Sequence, residues 1–236
     1  MESYRGNARA VEPRRSKAEK FWDRLARVWD EPTDEPGQTD TKVLVKARPY
    51  IKATDTVLDY GCAKGSVDLK LAPAVKAIHG IDISSKMIAA AREAAEAGKV
   101  ANVFFTKATI FDESLERESF DVVLAFNIFH LLEDAPKALL RIDELLKPGG
   151  CLISVMPCSA EKGTVRVRSV MLLVSVASTL GLIPYVWRCT VAELRESMNA
   201  AGLVTTEIEE LARGTSEYFV VATKTQGLDY NDVKYT

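Results

Sequence analysis

The stretch that constrains this chain most is Thr56 to Ser66, TVLDYGCAKGS. Val57 and Leu58 read as the end of a buried strand, and Gly61, Ala63 and Gly65 then turn the backbone sharply into a helix beginning near Gly65. Such a turn needs residues with little or no side chain, because a ligand lies against the backbone and the helix packs close to the strand. N–H groups at the helix start then face whatever is bound.

Spacing separates the two ligand classes that use this architecture. A dinucleotide fingerprint, G-x-G-x-x-G, asks for glycine at 61, 63 and 66, whereas the chain has Gly61, Ala63 and Ser66. A nicotinamide oxidoreductase is disfavoured on that ground. The pattern present is D-x-G-x-A-x-G, from Asp59 to Gly65. It resembles the first motif of the class I methyltransferases that use S-adenosylmethionine, in which hydrophobic residues precede D-x-G-x-G-x-G. Ala63 is the one departure and adds a single methyl group.

The chain around this motif has room for one domain with a substantial core, at 236 residues. Lys+Arg 31 against Asp+Glu 33 leaves a net charge of -2, so no basic field argues for nucleic acid and a small-molecule partner is expected. Cys62, Cys151, Cys158 and Cys189 form no C-x-x-C pair. With no leader segment read ahead of them, they are expected to be reduced thiols of a cytoplasmic protein, in core or turn positions.

Residues 1–16 read as a polar, basic arm. From Lys17 to about Trp29, the residues Phe21, Trp22, Leu25 and Val28 fall near helical spacing on one face. Pro32, Pro36 and Gly37 end that helix. In the family resembled, a leading helix often caps the cofactor pocket; an ordinary amphipathic helix packed on the core is the other reading. A second helix, about Thr41 to Ile51, leads to the first strand.

Lys76 to Ile83 reads as the second strand, ending in Asp82. About 20 residues beyond the first motif, a carboxylate suits a ribose diol, because it accepts two hydrogen bonds and the diol donates two. Ser84 or Ser85 caps the next helix, so an exposed capping Asp82 is the alternative. Asn102 to Lys107 is the third strand. The family often follows it with Gly-Asp to bind the adenine amino group; here Ala108 and Thr109 stand in those places, and a threonine hydroxyl still accepts such a bond. The resemblance gives Asp59 the role of orienting the turn or contacting the cofactor's amino-acid part. It counts Ile83 among the cofactor-binding residues and gives Met87, Ala108 and Thr109 the framing of adenine.

Phe120 to Asn127, FDVVLAFN, is apolar enough for a strand buried on both faces. It resembles the family's F-D-x-V-x-x-x-N strand, which places Phe126 and Asn127 between cofactor and acceptor. His130 follows. It is either a general base or a histidine bonded to the backbone at a strand-to-helix junction, and no catalytic residue is assigned. Asp134 caps a helix that LKPGG stops, and Cys151 to Met156 is the fifth strand. Thr190 and Glu193 form a capping box, and Val204 to Glu209 and Tyr218 to Thr223 read as a closing antiparallel hairpin.

These elements require a doubly wound, Rossmann-like α/β fold: a seven-stranded sheet of five parallel strands plus an antiparallel hairpin, with helices on both faces. The expected organisation is an arm and cap helix over 1–40, a methyltransferase domain over 41–223 with an apolar insertion at about 158–189, and a polar tail over 224–236. Within the insertion, Ser169 to Ile183 is uncharged and strongly apolar but shorter than a bilayer span. It is read as a lid or pocket wall, a membrane-surface helix, or a subunit interface. The first two readings favour an apolar acceptor. The resemblance implies methyl transfer from S-adenosylmethionine with no metal; a non-catalytic protein that binds S-adenosylmethionine or S-adenosylhomocysteine is the alternative. The oligomeric state stays open.

Overall fold

The computed structural model describes residues 16–26, 39–158, 189–211 and 216–225. The arm, the apolar run 169–183 and the tail beyond residue 225 lie outside the described residues. Seven strands form one sheet in the order β3-β2-β1-β4-β5-β7-β6. They are β1 Thr56–Tyr60, β2 Ala77–Asp82, β3 Val103–Lys107, β4 Phe120–Phe126, β5 Leu146–Pro157, β6 Leu203–Glu210 and β7 Glu217–Lys224. The first five are mutually parallel, and β7 runs antiparallel to both β5 and β6. The expected fold is therefore the one observed.

Alternation along the central strands explains why the sheet needs helices on both sides. Leu58, Val123, Ala125 and Leu152 point into one buried cluster, while their neighbours Val57, Val122, Leu124 and Ile153 point into the other. A strand apolar on both faces cannot leave either face in water. Helix α5 Ala135–Leu145 covers the first side with Leu139 and Ile142, and helix α2 Thr39–Ala47 covers the second with Val43 and Ala47. The remaining helices are α1 Lys17–Leu25, α3 Ser66–Leu71, α4 Ser85–Ala97 and α6 Val191–Ala200. The capping box expected at Thr190 and Glu193 opens α6.

Three local readings need correction. Helix α2 stops at Ala47, and Arg48–Tyr50 is a single tighter turn built around Pro49. The LKPGG segment does stop α5, but the strand begins there too, at Leu146 rather than Cys151. Leu146 pairs with Phe120 and Cys151 with Val122, so the residues between bulge out of register. A Cβ on Gly150 would lie 2.8 Å from the Asp121 carbonyl, and Lys147 Nζ donates to Asp121 Oδ2 at 2.7 Å. A helical wheel also predicts that α1 packs through its apolar side, whereas its buried residues are Glu19 and Asp23, with Phe21, Trp22 and Leu25 half-buried.

The chain leaves β3 at one edge and returns as β4 on the opposite side of β1. Strand order therefore reverses beside β1, and the crevice outside the carboxyl ends of β1 and β4 is where such sheets bind ligands.

Candidate active site

Strand β1 runs through Asp59, which is buried, into the turn that begins at Gly61. The Gly61 and Cys62 N–H groups both donate to the Ile81 carbonyl, at 2.8 and 3.1 Å, so the turn is fastened to β2. Gly61 has φ 85°, and a Cβ there would sit 3.0 Å from Ile128 Cδ1. Gly65 has φ 78°, and a Cβ would lie 2.4 Å from Phe105 Cζ. Both positions therefore exclude side chains on two counts, backbone conformation and space. Ala63 also has a positive φ, 48°, where the family's glycine is at ease and an L-residue is strained by about 1 kcal/mol.

Asp82 closes this turn from β2. Its Oδ2 accepts from the Ala63 N–H at 3.3 Å and its Oδ1 from the Ser84 N–H at 2.7 Å. Burial raises its carboxyl above the ordinary range, while these N–H groups pull it back down. A carboxylate offers about four acceptor positions, and with the Ile83 N–H also facing it at least one remains for a ribose hydroxyl. Asp82 is thus a residue of the glycine turn rather than an exposed cap; Ser84 takes the capping role, accepting from the Met87 N–H at 3.2 Å.

The other expected residues gather around the same strand ends. Met87 is buried in the first turn of α4 and Ile83 is half-buried beside Asp82. The Ala108 N–H donates to the Asp82 carbonyl at 3.1 Å, joining the end of β3 to that of β2. Thr109 is exposed, and its Oγ1 accepts from the Phe111 N–H at 3.3 Å, which leaves one lone pair for another donor. On the far side of the crevice, Phe126 ends β4 and exposed Asn127 turns the chain with φ 54°, its N–H donating to the Val155 carbonyl at 2.7 Å.

His130 occupies a short turn, Phe129–Leu131, where its Nδ1 is buried and makes no hydrogen bond among the described residues. Burial lowers its pKa to about 4, so the ring is neutral at pH 7. A neutral imidazole with a vacant nitrogen can accept a hydrogen bond from an O–H or N–H.

Sequence reasoning missed the residues that hold the site from outside the motif. Ile128 covers Gly61, and Phe105 fills the space beneath both Gly65 and Gly80. Asp23 of α1 reaches the start of α4: its Oδ1 accepts from Ser84 Oγ at 2.7 Å and from the Lys86 N–H at 3.2 Å, and its Oδ2 from Ser85 Oγ at 3.3 Å. Glu19, one turn earlier, accepts from Lys107 Nζ at 2.6 Å. Two acids four apart on one helix face were the available signal, masked by the apolar residues beside them.

A doubly wound sheet with a glycine turn after β1 and a carboxylate closing it from β2 defines a Rossmann-like nucleoside-binding protein. A methyltransferase domain model matches residues 51–202, more than half of the chain, and the chain belongs to that family, the class I methyltransferases that use S-adenosylmethionine. A relative, the probable methyltransferase ltbC of Aspergillus luteorubrus, is 33% identical over 116 residues, 44% of this chain and 40% of that protein. The chain spans half or less of the length of the curated relatives it matches. Among solved structures, a phosphoethanolamine N-methyltransferase of Haemonchus contortus, in complex with phosphomonomethylethanolamine and S-adenosylhomocysteine, superposes with TM-score 0.71 at 18% identity, over 89% of this chain and 61% of that one. The [4+2]-cyclase SpnF does so with TM-score 0.71 at 17% identity, over 89% and 95%. At such identities the likeness is one of fold.

The residues present fit the cofactor: a turn after β1 without side chains at Gly61 and Gly65, and a carboxylate beside it with an acceptor position to spare. Among the described residues no cluster of three or more metal-ligating side chains occurs, and no helix is long and apolar enough to cross a membrane.

Proposed function

We propose that this protein transfers a methyl group from S-adenosylmethionine to a small, apolar acceptor bound in the crevice between β1 and β4. The observation that carries the proposal is the Asp82 carboxylate bonded to the Ala63 N–H inside the Asp59–Gly65 turn. When bound, the cofactor supplies a methyl carbon made electrophilic by its sulfonium, so the protein need only align the partners and exclude water. Asp82 holds the ribose, Met87, Ala108 and Thr109 frame the adenine, and Asp59, Gly61, Ala63 and Gly65 shape the backbone against the amino-acid part. Ile83 flanks the ribose, and Phe126 and Asn127 separate cofactor from acceptor.

Three observations support an apolar acceptor. The net charge is near zero, half-buried Phe126 and Ile128 stand at the crevice, and the sequence carries the apolar run 169–183. That run serves this reading as pocket wall or membrane-surface contact, in a protein of the cytoplasm. His130 stands one turn beyond Asn127, and its buried Nδ1 is given no part in the transfer.

Incubation with methyl-labelled S-adenosylmethionine and a cell extract, followed by counting of organic and aqueous phases, tests the reading. Label in the organic phase is expected. Label confined to the aqueous phase would replace the apolar acceptor by a polar one. Binding of S-adenosylhomocysteine without label in either phase would favour a non-catalytic binding protein, and calorimetric binding of NAD in place of S-adenosylhomocysteine would overturn the cofactor assignment.

A further inference from the structure

The pattern Asp-x-Ser occurs twice in the sequence, and its two copies use the serine hydroxyl differently. At Asp112 both the N–H and the O–H of Ser114 donate to Asp112 Oδ1, at 3.0 and 2.6 Å. At Asp82 the Ser84 N–H behaves likewise, donating to Asp82 Oδ1 at 2.7 Å, but the hydroxyl turns away. It donates to Asp23 Oδ1 of α1 at 2.7 Å and accepts from the Met87 N–H at 3.2 Å. Ser84 is fully buried, so its hydroxyl must find an acceptor inside the protein. Its local acceptor, by the example of Ser114, is the carboxylate two residues before it.

The difference matters because Asp82 has little acceptor capacity to spare. The Ala63, Ser84 and Ile83 N–H groups already face its two oxygens. A Ser84 hydroxyl swung onto the carboxylate would take an acceptor position that the ribose needs. We infer that Asp23 is a positioning residue for the cofactor: by accepting the hydrogen bond of the Ser84 hydroxyl, it keeps that hydroxyl off Asp82 and leaves the carboxylate open to a ribose hydroxyl. That role holds only if Asp82 is the ribose carboxylate, as proposed above. It is separable from the docking of α1 as a whole, because α1 keeps a second tether when Asp23 is changed: Glu19 Oε1 accepts from Lys107 Nζ at 2.6 Å.

Calorimetric titration of the full chain and its variants with S-adenosylhomocysteine tests the role, with melting curves to show that each variant is folded at the titration temperature. Asp23→Ala should bind roughly five- to tenfold more weakly than wild type. Adding Ser84→Ala to Asp23→Ala should recover most of that loss, because no hydroxyl is left to occupy Asp82. A merely structural Asp23 predicts the opposite, since the double variant also lacks the cap of α4 and gains nothing in return. Wild-type affinity in Asp23→Ala would overturn the role, and so would a double variant that binds no better than the single one. Asp23→Asn, which keeps an oxygen for the Ser84 hydroxyl, should stay within about twofold of wild type, and it decides where Asp23→Ala fails to fold: a loss of about fivefold or more there would overturn the role. Asp82→Ala separates the two readings. Unchanged affinity in that variant removes the ribose site and the role of Asp23 with it, whereas weaker binding there without recovery in the double variant removes the role alone.

Discussion

The two sides of the crevice are built by different means. On the β1–β2–β3 side the site is almost all backbone: two glycines with positive φ, N–H groups shared between adjacent strand ends, and one carboxylate bonded into the turn. On the β4–β5 side the groups proposed to meet the acceptor are side chains at the margin of the sheet, with Phe126 half-buried and Asn127 exposed, and with His130 nearby carrying a buried nitrogen that bonds nothing among the described residues. The first side tolerates little change because its dimensions are those of the main chain. The second can be re-cut residue by residue, which is how one fold comes to handle different acceptors.

The sharpest way to break that contrast is Gly65→Ala. A methyl group would have to enter space filled by the Phe105 ring, at a φ of 78°, so a stability loss of about 3 kcal/mol is expected in denaturant titrations. A loss under about 1 kcal/mol would mean that this side is no more rigid than the other. On the β4–β5 side, the comparable effect depends on pH. The folded-state pKa of His130, about 4, lies below the unfolded value of about 6.5, so above pH 6.5 the ring is neutral in both states and carries no penalty. As pH falls from 6.5 to 4 the unfolded chain takes up a proton that the folded one refuses, and stability drops by up to about 3 kcal/mol. Melting curves of wild type and His130→Asn across that window should diverge toward low pH, and parallel curves would remove His130 as the cause.

Asp82→Ala should weaken S-adenosylhomocysteine binding by about 1–3 kcal/mol in calorimetry while leaving the cooperative melt in place. An unchanged dissociation constant would take Asp82 out of the site. The smallest effect is expected at α1. Asp23→Asn keeps an acceptor for Ser84 and Lys86 but loses its charge, so α1 should open more often by about 1 kcal/mol and tryptic cleavage at exposed Arg24 should quicken several-fold.

Much of this was legible in the sequence because local rules and tertiary structure agree. The run FDVVLAF, apolar on both faces, has no place except the middle of a covered sheet, and the small residues after Asp59 have no purpose except a tight turn. Where the reading failed, the deciding partner was remote. Leu146 counts as strand because Phe120 pairs with it, and nothing in LKPGG announces that pairing. The wheel of α1 displays Phe21, Trp22 and Leu25, yet the serines it bonds, Ser84 and Ser85, stand at the cap and first residue of α4.

Strand β7 is the last of the seven in the chain but not the last in the sheet, for it lies between β5 and β6. During synthesis, at about 5–20 residues per second, β5 therefore waits with an open hydrogen-bonding edge for several seconds while residues up to Lys224 emerge. Helix α2 and the turn after it wait as well, since Lys46 and Tyr50 find Glu209 and Glu207 only when β6 is seated. The waiting edge includes Leu152 to Met156, fully buried in the finished protein, and is a ready template for a foreign strand. Assembly of this sheet thus has a deadline set by translation, and any delay before β7 is free to pair lengthens the exposure of that edge.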